Sequence, residues 1–265
     1  LQCKNNQLTS LDVNGATAIA SLKCTNNELT SLNLSSNTAL TNLDFGQNQL
    51  TSLDVSANTA LTNLHCNNNQ LTSLDVSSNT ALTDLSCYEN QLTSLDVSNN
   101  TALTSLSCQN NQLTSLDVSN ILGLHHLELD SNQFTSIDVS NNTELITLYC
   151  ASNALTSLDV SGNTSLRYLR LSNNQLTTLD LSSNIELHDL TIGNNQLTYL
   201  NMRNGITDQL NNFNATNNSL TCIETLDLDY ANTNWTSDNG NIDAGVTFNV
   251  ICGAEGQTEW YVATT

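Results

Sequence analysis

The chain has 265 residues, of which 25 are Asp or Glu and only 5 are Lys or Arg, for a formal net charge of −20. Such a surface repels phosphate backbones and anionic lipid, which excludes nucleic acid as a partner and favours cations or basic proteins. No apolar run approaches the roughly 18 residues a membrane helix needs, so membrane insertion is excluded as well.

Charged residues total only 11%, and Asn, Ser and Thr carry most of the polarity. That composition would suit a disordered chain, but the apolar residues stand in register. Leu8, Leu29, Leu50, Leu71, Leu92, Leu113, Phe134, Leu155, Leu176 and Leu197 recur every 21 residues without a slip. A fixed period of this size marks a solenoid, in which each turn buries its apolar edge only against its neighbours. A motif present in every turn is scaffold before it is site. The chain enters partway through a repeat at Leu1-Gln2-Cys3, so a leader and any amino-terminal cap are expected to have been removed or to lie outside this piece.

One turn, residues 71–91, shows the design. Its halves read Leu71-x-x-Leu74-x-Val76-x-x-Asn79 and Leu82-x-x-Leu85-x-Cys87-x-x-Asn90. Apolar and polar residues alternate around Leu74-Asp75-Val76 and Leu85-Ser86-Cys87, the period of a half-buried strand. The expectation is two short strands per turn, stacking into two parallel β-sheets around a thin core, with little or no helix. Asn79 and Asn90 fall at the corners, where inward Asn side chains can bond backbone groups of neighbouring coils. Sequons such as Asn99-Asn100-Thr101 carry no weight in a chain this rich in Asn and Thr.

The pairing of L-x-x-L-x-C-x-x-N-Q-L with T-S-L-D-V-S-x-N-T-A resembles the leucine-rich repeat family, and within it the 21-residue, nested-half variant of secreted and surface proteins of bacteria. The resemblance covers residues 1–219, about ten turns. It implies an extracellular recognition role, usually toward proteins and sometimes toward glycans.

Several columns run along the turns. Cys3, Cys24, Cys66, Cys87, Cys108 and Cys150 share a position filled elsewhere by Phe45, Leu129, Leu171 and Ile192, so Cys serves there as a small hydrophobe and free buried thiols are expected. Their spacing has no metal-clip character. Asp12, Asp54, Asp75, Asp96, Asp117, Asp138, Asp159 and Asp180 form an outward ladder, with Asn33 and Asn201 in the same column. A hydrated row bonded to local Ser and Thr is the expectation, with no cofactor; calcium on Asp54, Asp75, Asp96, Asp117, Asp138 and Asp159 is the alternative. Thr51, Thr72, Thr93, Thr114, Thr135 and Thr156 run beside it, but the neighbouring charges spoil that face for ice binding.

Contrast between turns points to a site. From Leu113 to Gln196 the outward positions of the second strand carry His125, His126, Glu128, Tyr149, Arg167, Tyr168, Arg170, His188 and Asp189, where other turns carry mostly Ser, Thr and Asn. Tyr and Arg are the side chains that most often anchor interfaces. These nine residues are the expected partner-binding patch, on turns six to nine. A metal set of His126, Glu128 and His188 is a lesser alternative.

After Leu197 the next matching residue is Leu220, and the repeat gives way to Cys222, Trp235, Phe248, Cys252 and Trp260. Residues 220–265 are therefore expected to cap the last coil with aromatic bulk and a Cys222–Cys252 disulfide, which implies an oxidising compartment. No nucleophile elbow, phosphate loop or zinc-protease signature occurs, and no carboxylate pair stands out, so an enzyme is not expected. The reading is a secreted or cell-surface module for adhesion or recognition of a protein, acting as a monomer. The alternatives are a glycan-binding module, with Tyr149 and Tyr168 stacking on sugar rings, and a rigid spacer.

Overall fold

A computed structural model describes residues 1–253 as a solenoid of about eleven coils with parallel sheets and almost no helix. The second half of each coil supplies one short strand. These are β1 (Ser21–Lys23), β2 (Asn42–Asp44), β3 (Asn63–His65), β4 (Asp84–Ser86), β5 (Ser105–Ser107), β6 (His126–Glu128), β7 (Thr147–Tyr149) and β8 (Tyr168–Arg170). After β9 (Thr178–Asp180) the series resumes with β10 (Asp189–Thr191) and, following β11 (Tyr199–Met202), β12 (Asn212–Asn214). Strands β1 to β8, β10 and β12 form one ten-stranded parallel sheet.

Register is kept at one repeat per rung: Asp84, Leu85 and Ser86 stand opposite Ser105, Leu106 and Ser107. The central residue of each strand points inward, so Leu22, Leu43, Leu64, Leu85, Leu106, Leu127, Leu148, Leu169 and Leu190 are fully buried, while their neighbours, buried Thr147 apart, are at least partly exposed. They join the other Leu columns, the Val column and the Cys column in one continuous core.

The corners are held by two kinds of Asn. Asn90 Nδ2 donates to the carbonyls of Cys66 (3.1 Å) and Cys87 (3.0 Å), and its Oδ1 accepts the Leu71 N–H at 3.0 Å. Asn79 Nδ2 donates to the carbonyls of Val55 and Asn58, at 3.0 and 2.9 Å. The Asn90 bond satisfies a Leu71 N–H that a dry interior would leave orphaned, while Asn79 adds a second donor to carbonyls that already accept a turn N–H. A third column turns the chain through the left-handed region: Asn5, Asn26, Gln47, Asn68, Glu89, Asn110, Ser131, Ser152, Asn173, Asn194 and Asn217 all have φ between 51° and 60°. Asn tolerates that conformation better than most side chains, which accounts for its excess there.

The second sheet is shorter than the first. It contains β9, β11, β13 (Cys222–Thr225) and β14 (Thr247–Asn249), in the order β14-β13-β11-β9. In earlier coils the corresponding segment makes no ladder, and a local turn follows it. Asp54 Oδ1 accepts the Ser56 N–H at 2.9 Å, and the Val55 carbonyl accepts from the Asn58 N–H at 2.9 Å. The same turn is kept at β9, Asp180 Oδ1 accepting the Ser182 N–H at 2.9 Å, so the turn does not by itself prevent pairing. Ser52, Ser73, Ser94, Ser115, Ser136 and Ser157 hold one outward position of this segment; Thr178 and Tyr199 then replace them, and there the ladder begins. Branched and aromatic side chains suit a pleated surface better than Ser does.

At the carboxyl end a seven-residue helix, α1 (Leu228–Asn234), starts on an Asp227 cap whose side chain accepts the Tyr230 N–H. Buried Trp235 packs between Phe213 and Phe248, with ring centroids 4.3 and 6.0 Å away. A disulfide joins Cys222 to Cys252. Trp260 lies outside the described residues. Cys24, Cys66, Cys87, Cys108 and Cys150 are free and buried, and Cys3 is free and partly covered. Burial pushes the Cys87 thiol up to about 12, as expected of inert core side chains.

Candidate functional site

The ten-stranded sheet brings the nine patch residues onto or beside adjacent rungs. His126, Thr147, Tyr168 and Asp189 stand in one cross-strand row, and Glu128, Tyr149, Arg170 and Thr191 in the next. His125, Arg167 and His188 precede their strands by one residue and form a third row with Ile146. In coils two to five that third row is Thr41, Thr62, Thr83 and Thr104, whose hydroxyls donate to a carbonyl of the coil before, as Thr62 does to Thr41 at 3.0 Å. From coil six onward this self-satisfied row is replaced by side chains that reach outward.

Most polar atoms of the patch have partners. His126 Nδ1 lies 3.0 Å from the Thr147 hydroxyl, Gln109 Nε2 donates to Glu128 at 3.0 Å, and Asn212 Nδ2 donates to Asp189 Oδ2 at 3.3 Å. The Arg170 guanidinium sits over the Tyr149 ring, 4.2 Å from its centroid, a cation–π contact. Partial burial pushes the Tyr149 hydroxyl above its ordinary range, opposed by that guanidinium. Burial also raises Asp130, beside the patch, although the Ala151 N–H donates to it at 2.6 Å. Tyr168 is 41% exposed, an unusual state for a side chain of its size in this solenoid.

Two residues of the site escaped the reading of the sequence. Glu144 pairs with His125 at 3.3 Å and Glu186 with Arg167 at 3.4 Å, each reaching from one coil to the next. With Ile146 and Ser165 these four line a shallow depression at the flank of the sheet, of about 550 Å³. Their signal was present, because Ala39, Ala60, Ala81 and Ala102 hold the same column in earlier coils.

The metal set of His126, Glu128 and His188 is not assembled. His188 Nδ1 lies 2.6 Å from the Glu186 carbonyl, and among the described residues no three His, Cys, Asp or Glu side chains are grouped as metal ligands. Asp54, Asp75, Asp96, Asp117, Asp138 and Asp159 each turn one oxygen onto a backbone N–H two residues ahead, of Ser56, Ser77, Ser98, Ser119, Ser140 and Ser161. Those bonds and the Ser hydroxyls hold the carboxylates below their usual range.

Charge is distributed unevenly. Lys4, Lys23, Arg167 and Arg170, four of the five Lys and Arg, and all four His lie on the ten-stranded sheet or in the rows bordering it. Only seven of the 25 carboxylates do so: Asp44, Asp84, Glu128, Asp130, Glu144, Glu186 and Asp189. This face is the least acidic part of a strongly acidic molecule. Among the described residues no helix is long and apolar enough to cross a membrane.

No protein-family model matches the chain, and no curated protein matches it. Solved structures do. The functional domain of InlJ from Listeria monocytogenes, described as including a cysteine ladder, is 37% identical with a TM-score of 0.80, over 86% of this chain and 55% of that one. A leucine-rich repeat protein of Leptospira interrogans is 26% identical, with a TM-score of 0.77, over 92% of this chain and 65% of that one. The leucine-rich repeat ectodomain of the Arabidopsis thaliana receptor kinase GASSHO1/SCHENGEN3, solved in complex with CASPARIAN STRIP INTEGRITY FACTOR 2, is 25% identical with a TM-score of 0.77, over 89% of this chain and 31% of that one. The chain thus spans less than two thirds of the length of each. With a 21-residue period, inward leucines and a parallel sheet built one rung per repeat, the chain has the leucine-rich repeat fold, with bacterial leucine-rich repeat proteins among its structural neighbours.

Proposed function

We propose that this chain is a non-enzymatic recognition module that binds a protein partner through the ten-stranded sheet at coils six to nine. The observation that carries this reading is the change of chemistry along otherwise repetitive rows. His125, His126, Glu128, Tyr149, Arg167, Tyr168, Arg170, His188 and Asp189 gather where earlier coils show mostly Ser, Thr and Asn. A rigid sheet also presents such side chains with little loss of entropy on binding. The plant receptor ectodomain, solved with a bound partner, supports the use of such a solenoid in recognition.

An extracellular or surface location fits the Cys222–Cys252 disulfide, and the receptor ectodomain among the structural neighbours is in keeping with it. We place the recognition surface in residues 1–219 and assign 220–265 to capping the last coil.

The test compares affinity capture from intact cell surfaces by the wild-type chain and by a Tyr149→Ala, Tyr168→Ala, Arg170→Ala triple variant, with a glycan array run in parallel. Proteins enriched by the wild type and lost at least tenfold with the variant support the reading. Glycan binding without protein capture would move the chain to carbohydrate recognition, and identical behaviour of both proteins would leave a spacer.

A further inference from the structure

We infer that the partner presents a carboxylate, an Asp or Glu side chain held against Arg170, with Tyr168 as the platform beside it. This deepens the sheet-face reading and rests on it. Arg170 is the one charged side chain of the patch that makes neither a hydrogen bond nor an ion pair among the described residues. Arg167 is taken by Glu186, His125 by Glu144, and the carboxylates Glu128, Asp130, Glu144, Glu186 and Asp189 each already accept from a donor of this chain. Arg170 is exposed, and its guanidinium carbon rests over the Tyr149 ring, 4.2 Å from the centroid. A planar fork held over a ring, with all five N–H groups unused, matches the two oxygens of a carboxylate in bidentate geometry.

The nearer carboxylates are engaged within the chain: Asp130, which feels the Arg170 charge, accepts the Ala151 N–H, and Asp189, diagonal to Arg170 across the β8–β10 pair, accepts from Asn212. Glu128 stands in the row of Arg170 but two rungs away, with Tyr149 between them, about 9 to 10 Å at sheet spacing. That exceeds the roughly 8 Å screening length of physiological salt, whereas a bound carboxylate would sit within about 3 to 4 Å of the guanidinium. Contact attraction outweighs screened repulsion. Tyr168 lies two residues earlier on the same strand and the same face, so a partner side chain next to the carboxylate meets an exposed ring.

The probe is a random dodecapeptide library displayed on phage and selected on the full chain, with recovered peptides compared on wild type and Arg170→Gln. Recovered peptides are then synthesised with each Asp or Glu replaced by its amide and titrated by fluorescence polarisation. We expect an acidic residue in the recovered set, roughly tenfold weaker binding when it is amidated, and less than twofold difference between acid and amide on Arg170→Gln. Circular dichroism checks that this variant folds. Acid-free peptides that still require Tyr168 would overturn the carboxylate while leaving the sheet face standing. Peptides indifferent to both Arg170→Gln and Tyr168→Ala, or no peptides at all, would sink both ideas. Arg170-dependent binding of acidic glycans without acidic peptides would replace the protein partner.

Discussion

One template writes Asn79 and Asn90, yet the two side chains do different work. Removing Asn90 orphans the buried Leu71 N–H, because only the Asn90 carbonyl oxygen serves it, and deletes bonds to Cys66 and Cys87. Removing Asn79 takes one partner from the Val55 and Asn58 carbonyls, but each keeps a turn N–H, from Asn58 and Leu61. The Asn79 Oδ1 is itself buried without a partner, so nothing is lost with it. Asn90→Ala should therefore cost about 3 kcal/mol and Asn79→Ala about 1 to 2, an ordering that urea unfolding of the two variants checks. A second residue-scale device lies near the amino end, where His65 Nε2 and Asp84 Oδ2 are 2.9 Å apart. The Asp84 hydrogen bond raises His65, and the same bond lowers Asp84. The His65 share of stability is complete below about pH 6.5 and fades as pH rises through the raised value; the Asp84 share is complete above about pH 4 and fades as pH falls through the lowered one. Stability lost on Asp84→Asn should thus be greatest between about pH 4 and 6.5, and below about 1 kcal/mol since both side chains are over a third exposed; thermal melts across pH 3 to 9 test it. At this scale the inward Leu, Asn and Cys columns were legible, because each repeats a single demand. Glu144 and Glu186 were not, because their pairing depends on which coil lies next to which, and only the rung register supplies that.

At the scale of elements the ten-stranded sheet could be read from the sequence, since alternation around Leu85-Ser86-Cys87 has the period of a strand. The extent of the second sheet could not. Leu74-Asp75-Val76 alternates as well as Leu179-Asp180-Leu181 and is followed by the same Asp-to-Ser turn, yet only the latter pairs. The outward difference between them is the residue before the Leu, Ser73 against Thr178, to which alternation is blind. Pairing returns where Thr178 and Tyr199 favour it, and this sheet then carries the cap through β13 and β14. The Cys222–Cys252 bridge closes 30 residues that contain α1, Trp235 and β14. In the chain-entropy account such a loop contributes roughly 3 to 4 kcal/mol. Cys252→Ser should accordingly release the cap before anything else. Amide exchange is expected to speed up in β14 and along the β13 edge it covers, while β1 to β8 keep wild-type protection; equal loss throughout would show the cap to be coupled to the whole array.

The whole molecule is close to one-dimensional: coils pack chiefly against their neighbours, although the Lys4–Asp44 ion pair reaches across two rungs, and the sheet pairs strictly in sequence order apart from the β9 and β11 excursions. Stability is then a sum of coil terms and nearest-neighbour interfaces, and damage should stay near where it is made. Leu106 is a sharp place to test this: it is fully buried at the centre of β5, with Leu85 and Leu127 on the adjoining rungs. Leu106→Ala leaves a cavity costing about 2 to 5 kcal/mol. In a globular domain that loss would lower protection everywhere; here it should fall on β4, β5 and β6 and leave β1, β2 and β10 nearly unchanged. Denaturant unfolding should broaden or divide into two transitions, the coils on either side of the weak interface melting separately. A single sharp transition with uniformly reduced protection would mean that the array unfolds as one cooperative body. The same locality bears on function. If coils are energetically private, coils six to nine could exchange Ser, Thr and Asn for His, Tyr and Arg without disturbing the frame, so that patch can vary while the leucines, asparagines and cysteines around it hold their columns.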